Sequence, residues 1–287
     1  MATDRQIKVT ALVPAYQAAD FIQPTLDSLS SQTRGNFDVI LSVDLCEDDT
    51  YAICRAHAER DPRFRVVRQD RRMGYVGNCN FLLGEADADY VLLAFHDDLL
   101  APTYVEKLCA VLDERPEVIM SFSDLLLTEV DGSQRHLALT ELEGIKDPVQ
   151  RGIIMLARGV RWWLPNRGIF RLAQSRKIGG IKTHDAGDIS PDRPWLFHMS
   201  LLGEFARVPE TLCHKIFKPG SLSKSWAATR EQRYEVTAAC MRELWNSPLT
   251  TDQKLRLATH LTGHLETLRR KTHRIPLPFL GRLLKRW

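Results

Sequence analysis

The stretch from Tyr90 to Pro102, YVLLAFHDDLLAP, constrains the fold more than any other part of the sequence. Its apolar run from Tyr90 to Phe95 lacks helical spacing, which is typical of a strand buried on both faces of a parallel sheet. Pro102 is then placed where a helix can begin. The His-Asp-Asp triplet that follows Phe95 therefore stands at the carboxyl end of a central strand, where open α/β sheets bind ligands.

Two interpretations of Asp97 and Asp98 follow from this position. A carboxylate at this edge can hold a divalent metal against a phosphate, because such ions prefer oxygen ligands. Alternatively, both residues cap the next helix, as Asp often does before a first turn. These residues alone leave both interpretations open.

Strands and helices alternate through the first 123 residues. Apolar runs at Val9–Val13, Val39–Val43, Arg65–Val67 and Val118–Phe122 predict further strands, and amphipathic segments lie between them. This order predicts an α/β fold with a doubly wound, mostly parallel sheet. Pro14, Ala15 and Tyr16 follow the first strand and Asp44 follows the second, so both strands end in candidate ligand contacts.

The second half of the chain has a different pattern. We expect a hairpin turning at Asp131-Gly132, a helix after Asp147-Pro148, a short strand at 169–171 and a helix at 193–202. Residues 229–271 have helical spacing, with an apolar face that packs on the preceding domain or on a second subunit. We therefore divide the chain into a domain at 1–224, with halves 1–123 and 124–224, and a helical extension at 225–287.

Composition narrows the setting of the protein. The six cysteines form no CxxC pair, the amino terminus lacks the apolar core of a signal peptide, and no run of about 18 apolar residues occurs. We expect a cytoplasmic protein. The tail from Arg270 onwards mixes apolar and basic residues without an acid, which predicts contact with the inner face of a membrane. A docked terminal helix is the alternative.

Several sequence segments follow one another in a fixed order, and together they carry a resemblance to a known family. VTALVPAYQ, SVDLCEDDT, GYVGNCN, AFHDDLLAP, SPDRPWLFHMSLLGEF and PETLCHKIFKPGSLS span about residues 7–224. This series resembles the family-two inverting glycosyltransferases, which have the nucleotide-sugar-binding GT-A fold. Five positions depart from the family. Gln17 stands in place of Asn, the glycine of the segment after Asp44 is lost, and Cys79 stands where Arg is usual. Phe95 stands where the first acid of the L-D-x-D-D motif is usual, and Lys218 stands at the usual histidine position.

The resemblance implies transfer of a sugar from a nucleoside diphosphate to an acceptor hydroxyl, with inversion. It implies that Asp192 is the general base and that Asp97 binds a divalent metal, Mg²⁺ or Mn²⁺. By the same carry-over Asp44 accepts a base N–H, which favours a UDP-sugar because the uracil imide offers that proton. The full set of implied nucleotide-binding residues is Pro14, Ala15, Tyr16, Asp44, Asn80, His96, Asp97 and Lys218.

The implied partners are a nucleotide-sugar donor and a saccharide or lipid-linked acceptor, with no nucleic acid. One rival is a non-catalytic protein of the same fold that binds a nucleotide sugar or serves as a scaffold, which the loss of an acid at Phe95 favours. Another rival is a nucleotidyltransferase, which usually needs a glycine-rich loop with a lysine after the first strand. VPAYQAAD contains neither.

Overall fold

The structure is a computed structural model that describes residues 8–157, 159–218 and 228–270. Within these residues, strands and helices alternate as far as β4, and the second half is mixed. The strands are β1 Val9–Ala15, β2 Phe37–Val43, β3 Phe64–Arg68, β4 Tyr90–Leu93, β5 Asp98–Leu100, β6 Val118–Thr128, β7 Gln134–Leu137, β8 Ile169–Arg171 and β9 Glu204–Ile216. The α-helices are α1 Ile22–Ser30, α2 Thr50–Ala58, α3 Gly74–Glu85, α4 Tyr104–Glu114, α5 Pro148–Leu156, α6 Leu172–Lys177, α7 Asp192–Leu202, α8 Arg230–Asn246 and α9 Thr251–Arg270.

The strands join into one sheet of order β3-β2-β1-β4-β8-β6-β9-β5, and β7 pairs with β6. The first four strands of that order are parallel, whereas β8 is antiparallel to both of its neighbours. Every residue of β1 is buried, because parallel neighbours lie on both sides and helices cover both faces. This is the α/β architecture that the sequence predicts.

Helix α3 begins earlier than expected. The sequence predicts a loop that carries Gly74, Gly77 and Asn80 ahead of a helix, but the helix already starts at Gly74. The carboxylate of Asp44, at the end of β2, accepts the backbone N–H groups of Met73 and Gly74. An acceptor from a distant strand thus satisfies the first donors of the helix, which local sequence does not reveal.

The central strand is shorter than its apolar run. β4 ends at Leu93, and a turn closed by the bond from the Asp98 N–H to the Phe95 carbonyl leads directly into β5. β5 pairs with β9 at the far side of the sheet. Asp97 therefore lies in a turn between two strands, and Asp98 begins the second of them.

The carboxyl-terminal helical segment is broken into two helices. α8 and α9 are separated at residues 247–250, where Pro248 interrupts the helical pattern. Cys240, Leu244 and Leu257 belong to the same apolar core as the sheet. The division at 224/225 falls outside the described residues and stays a prediction, as does the tail at 271–287. No helix of the described residues is long and apolar enough to span a membrane.

Candidate active site

The carboxyl ends of three parallel strands meet at one edge of the sheet, which we call the carboxyl edge. β1 and β2 end at the paired residues Ala15 and Val43, and β4 lies on the other side of β1. The His96 Nδ1 atom is 2.9 Å from the carbonyl oxygen of Pro14, which ties the turn after β4 to the end of β1. The residues collected here are Pro14, Ala15, Tyr16, Asp44, His96 and Asp97; their binding roles stay predictions.

Asp44 is buried, and donors surround its carboxylate. Oδ1 accepts from the N–H groups of Leu45 and Met73 at 3.1 and 2.6 Å. Oδ2 accepts from the Gly74 N–H at 2.8 Å and lies 3.2 Å from Nε of Arg72. A carboxylate has about four lone-pair sites, and the Arg72 side chain is an exposed partner, at 52%. A ligand N–H can therefore reach Asp44 by replacing Arg72.

Arg72 also covers Tyr16. Its guanidinium carbon lies 3.2 Å from the centre of the Tyr16 ring, an arrangement in which a cation meets the negative face of an aromatic ring. If Arg72 moves, it uncovers a flat ring and a buried acceptor side by side. This pairing suits a planar base with an N–H on its edge.

Asp97 and Asp98 are each held by a cation. The Lys215 Nζ atom donates to Asp97 Oδ2 at 2.9 Å and lies 3.5 Å from Asp98 Oδ1. Arg167 Nε donates to Asp98 Oδ2 at 2.7 Å. Burial alone would raise the pKa of Asp97, but the charges of Lys215 and His96 outweigh it and lower that pKa. The charged form of Asp97 is therefore favoured, and both carboxylates are already paired with a cation.

Phe95 stands at the position of the missing acid and packs among aromatic and cationic groups. Its ring centre lies 6.1 Å from that of Tyr75, and the Arg167 guanidinium carbon lies 5.1 Å from it. A positive group thus covers the place where the family motif has a carboxylate.

Lys218 reaches the same region from the end of β9. Its Nζ lies 3.8 Å above the ring of Phe21, which in turn packs on His96 with ring centres 5.4 Å apart. Burial lowers the pKa of Lys218, while the negative charges of Asp97 and Asp20 oppose that shift. A further cation therefore lies close to Asp97. Gly220 and Ser221 of the closing motif lie outside the described residues.

Asp192 is the first residue of α7 and is 8% exposed. Asn166 Nδ2 donates to its Oδ2 at 2.8 Å, and its buried Oδ1 has no hydrogen-bond partner among the described residues. Burial raises the pKa of Asp192 from 3.8 to about 6, against the positive charges of Arg167 and Arg193. Such a carboxylate is ionised at neutral pH and is ready to take a proton.

A short 3₁₀ helix, Leu164–Arg167, connects the two acidic sites. Asn166 holds Asp192, and the next residue, Arg167, holds Asp98. Gly168 ends this helix so close to β6 that an added Cβ would lie 2.4 Å from the carbonyl oxygen of Ser121. One rigid turn therefore fixes the positions of both carboxylates.

Asn80 lies away from these groups and has a structural role. Its Oδ1 accepts from the Ile181 N–H and its Nδ2 donates to the Ile181 carbonyl, both at 2.9 Å. Gly180 has φ +68°, and an added Cβ there would lie 2.4 Å from Asn80 Oδ1. Asn80 thus fastens α3 to the loop after α6, and its predicted contact with the nucleotide gains no support from the geometry.

The divalent metal expected at Asp97 can be tested against the donor set. The described residues contain no group of three or more His, Cys, Asp or Glu side chains arranged to hold a metal ion. Asp97 and Asp98 are compensated by Lys215 and Arg167, and Phe95 offers no ligand atom. A metal would have to displace Lys215 from Asp97. These residues therefore do not fit a ready-made divalent site, and the metal stays a prediction.

Three site residues are not evident from the sequence: Asn166, Arg167 and Lys215. Asn166 and Arg167 lie in a loop whose most prominent residues are tryptophans, so neither of the two stands out. Lys215 lies in a strand, where a lysine is normally exposed and is not expected in a buried site. Lys215 stands three residues before Lys218 in the closing motif, which is a weak local indication that it belongs to the site. Its partner Asp98 lies more than 100 residues earlier, so the contact depends on sheet register.

Comparison with known proteins shows the family and the fold to which the chain is similar. The family model described as "Glycosyl transferase family 2" matches residues 10–157. A relative in Bacillus subtilis strain 168, the putative teichuronic acid biosynthesis glycosyltransferase TuaG, is 28% identical over 125 residues, which cover 44% of this chain and 49% of the relative. The chain spans less than half the length of the curated relatives it matches.

Two solved structures show the same fold. S. aureus TarS 1–349 in complex with UDP-GlcNAc has a TM-score of 0.71 at 20% identity, covering 92% of this chain and 74% of that one. The mannosyltransferase PcManGT from Pyrobaculum calidifontis, in complex with GDP-Man and Mn²⁺, has a TM-score of 0.58 at 16% identity, covering 99% and 82%. The architecture is that of a GT-A glycosyltransferase, as the sequence resemblance predicts.

Proposed function

This chain belongs to glycosyl transferase family 2, and from that premise we propose that it transfers a sugar from a UDP-sugar to an acceptor hydroxyl with inversion. The observation that carries this proposal is Asp192, a buried carboxylate with a raised pKa that one turn connects to the paired acids at the carboxyl edge. A base and a diphosphate-binding region held by one rigid element suit a displacement at a sugar carbon between them.

The proposed reaction is a single displacement at the anomeric carbon. Asp192 takes the proton of the acceptor hydroxyl while the acceptor oxygen forms its bond to that carbon. The bond from the carbon to the diphosphate oxygen breaks on the opposite side, and its electron pair leaves with the diphosphate. Inversion follows because the new bond forms opposite the one that breaks.

The choice of nucleotide depends on Asp44 and Tyr16. We propose that the nucleobase displaces Arg72, stacks on Tyr16 beside Pro14 and Ala15, and donates its imide N–H to Asp44. Uracil and thymine carry that proton, so a UDP-sugar is preferred. TarS has been solved with UDP-GlcNAc and PcManGT with GDP-Man, so structures of this fold accommodate more than one nucleotide.

The acceptor and the cellular setting are proposals as well. We propose a saccharide or lipid-linked acceptor in polysaccharide or glycoconjugate biosynthesis, which the teichuronic acid relative supports. All six cysteines are free, which supports a reducing cytoplasm. We also propose that the basic tail at 271–287, outside the described residues, holds the protein at the inner face of a membrane. Self-association into a homodimer remains part of the proposal.

The test is donor hydrolysis and binding with purified full-length protein. UDP, GDP, dTDP and CDP, each with matching sugars, are compared by calorimetry, and release of the free nucleotide is followed over time. We expect UDP to bind most tightly and a UDP-sugar to be consumed. Binding of a nucleotide sugar without any turnover, with or without saccharide acceptors, would favour the rival non-catalytic protein suggested by Phe95.

A further inference from the structure

Four buried or half-buried charges form one cluster at the turn after β4. Lys215 pairs with Asp97 at 2.9 Å and lies 3.5 Å from Asp98, and Arg167 pairs with Asp98 at 2.7 Å. We call Lys215, Arg167, Asp97 and Asp98 the charge cluster. Its two cations balance its two carboxylates, so it presents little net negative charge to attract a divalent metal.

The sheet itself places Lys215. β5 and β9 are antiparallel, and their register sets Lys215 directly opposite Asp98. Lys215 is 6% exposed, so its ammonium group is buried and is held in one position. An ammonium group has three N–H donors, and the two carboxylates of the charge cluster take two of them. The Lys215 ammonium is thus a fixed donor at the place where the family motif would put a metal.

Asp97 and Asp98 differ in how firmly they are held. The Asp98 side chain is 3% exposed and receives a direct bond from Arg167, whereas the Asp97 side chain is 18% exposed and depends on Lys215. A phosphate oxygen that enters from solvent meets Asp97 first and competes with it for the same ammonium. Arg167 keeps Asp98, the more deeply buried of the two carboxylates, compensated during that exchange.

We propose that Lys215 binds the diphosphate in place of a divalent metal, with Arg167 as the positioning residue that compensates Asp98. This inference rests on the proposed sugar transfer and deepens it. When the bond between the sugar carbon and the diphosphate oxygen breaks, the electron pair goes to that oxygen. The Lys215 ammonium stabilises the resulting negative charge by a charge-assisted hydrogen bond.

The experiment measures UDP binding by calorimetry in EDTA and in excess MnCl₂, with the wild-type chain and three variants. Lys215→Met removes the charge, Lys215→Arg keeps it, and Lys107→Met is the matched control, because Lys107 pairs with Glu210 at exposed positions. Thermal unfolding of each variant is recorded without ligand. The measurement needs no turnover, so it separates nucleotide binding from catalysis.

We expect the wild-type Kd to change by less than about twofold between EDTA and Mn²⁺. In EDTA, Lys215→Met weakens UDP binding by about ten- to a hundredfold, the range for one hydrogen bond to a charged group. Mn²⁺ restores much of that loss in this variant, because Asp97 is then free to bind the ion. Lys215→Arg and the control stay close to wild type.

Two results would overturn the inference: wild-type binding that collapses in EDTA and returns with Mn²⁺, or Lys215→Met that binds UDP as wild type does in EDTA. If Lys215→Met fails to fold, the two wild-type titrations, in EDTA and in Mn²⁺, still decide whether UDP binding depends on a metal. Failure of the proposed function looks different. Nucleotide binding without turnover would defeat sugar transfer and leave these titrations interpretable, whereas the absence of nucleotide binding to wild-type protein in both conditions would end the inference as well.

Discussion

The replacement Asp192→Asn separates the cost of burying this carboxylate from its use as a base. Asn is nearly the same shape and still accepts the hydrogen bond from Asn166, but it carries no charge at any pH. In the wild-type chain the charged form is disfavoured by burial, which raises the pKa of Asp192 from 3.8 to about 6. The two proteins should therefore respond differently to pH.

The magnitude follows from that pKa. Between about pH 4 and pH 6 the unfolded chain has already released the Asp192 proton while the folded chain keeps it, so wild-type stability falls as pH rises. Above pH 6 the loss is complete and amounts to about 3 kcal/mol. Asp192→Asn lacks this contribution. From pH 4 to pH 8, the free energy of unfolding of the wild type should therefore fall by about 3 kcal/mol relative to that of Asp192→Asn.

Urea unfolding followed by tryptophan fluorescence measures the effect at both pH values. Asp188→Asn, at an exposed position of the preceding loop, serves as the matched control and should show no such trend. We also expect Asp192→Asn to lose about two to four orders of magnitude in sugar transfer. A stability difference between Asp192→Asn and wild type that is the same at both pH values would refute the raised pKa of Asp192.

Two further predictions concern the same site and its surroundings. The rate of sugar transfer by the wild type should fall below about pH 6, because the base must be ionised to accept a proton. The control variant Asp188→Asn should show the same pH profile as the wild type. A flat profile from pH 5 to pH 8 would exclude Asp192 as the base. Asn80→Ala should lower the free energy of unfolding by about 1–3 kcal/mol through loss of both bonds to Ile181, while UDP affinity stays within about twofold. Weakened UDP binding with unchanged stability would instead favour the nucleotide contact that the sequence predicts.

The sequence predicts the parallel half of the fold well, because each strand there carries its own signal. The apolar runs that form β1, β2 and β4 are buried on both faces, and each leads to polar residues at the carboxyl edge within three positions of the strand end. Asp192 is indicated by its motif. These features are local, so a single stretch of sequence is enough to reveal them.

Contacts between distant strands could not be predicted in the same way. Lys215 meets Asp98 only because β5 pairs with β9 in one register, and Asp44 starts α3 only because β2 ends beside it. Trp162 and Trp163 lie against the guanidinium groups of Arg193 and Arg167. Tertiary pairing decides each of these roles.

The short helix Leu164–Arg167 has a consequence for how this chain can change. This helix packs against β6 at Gly168, where even a methyl group would collide with the carbonyl oxygen of Ser121. Any shift of this helix moves Asp192 and Asp98 together, because Asn166 and Arg167 hold them. In the proposed reaction, acceptor preference and nucleotide affinity are then coupled, so adapting the chain to a new acceptor should leave this helix unchanged and vary the loops around it.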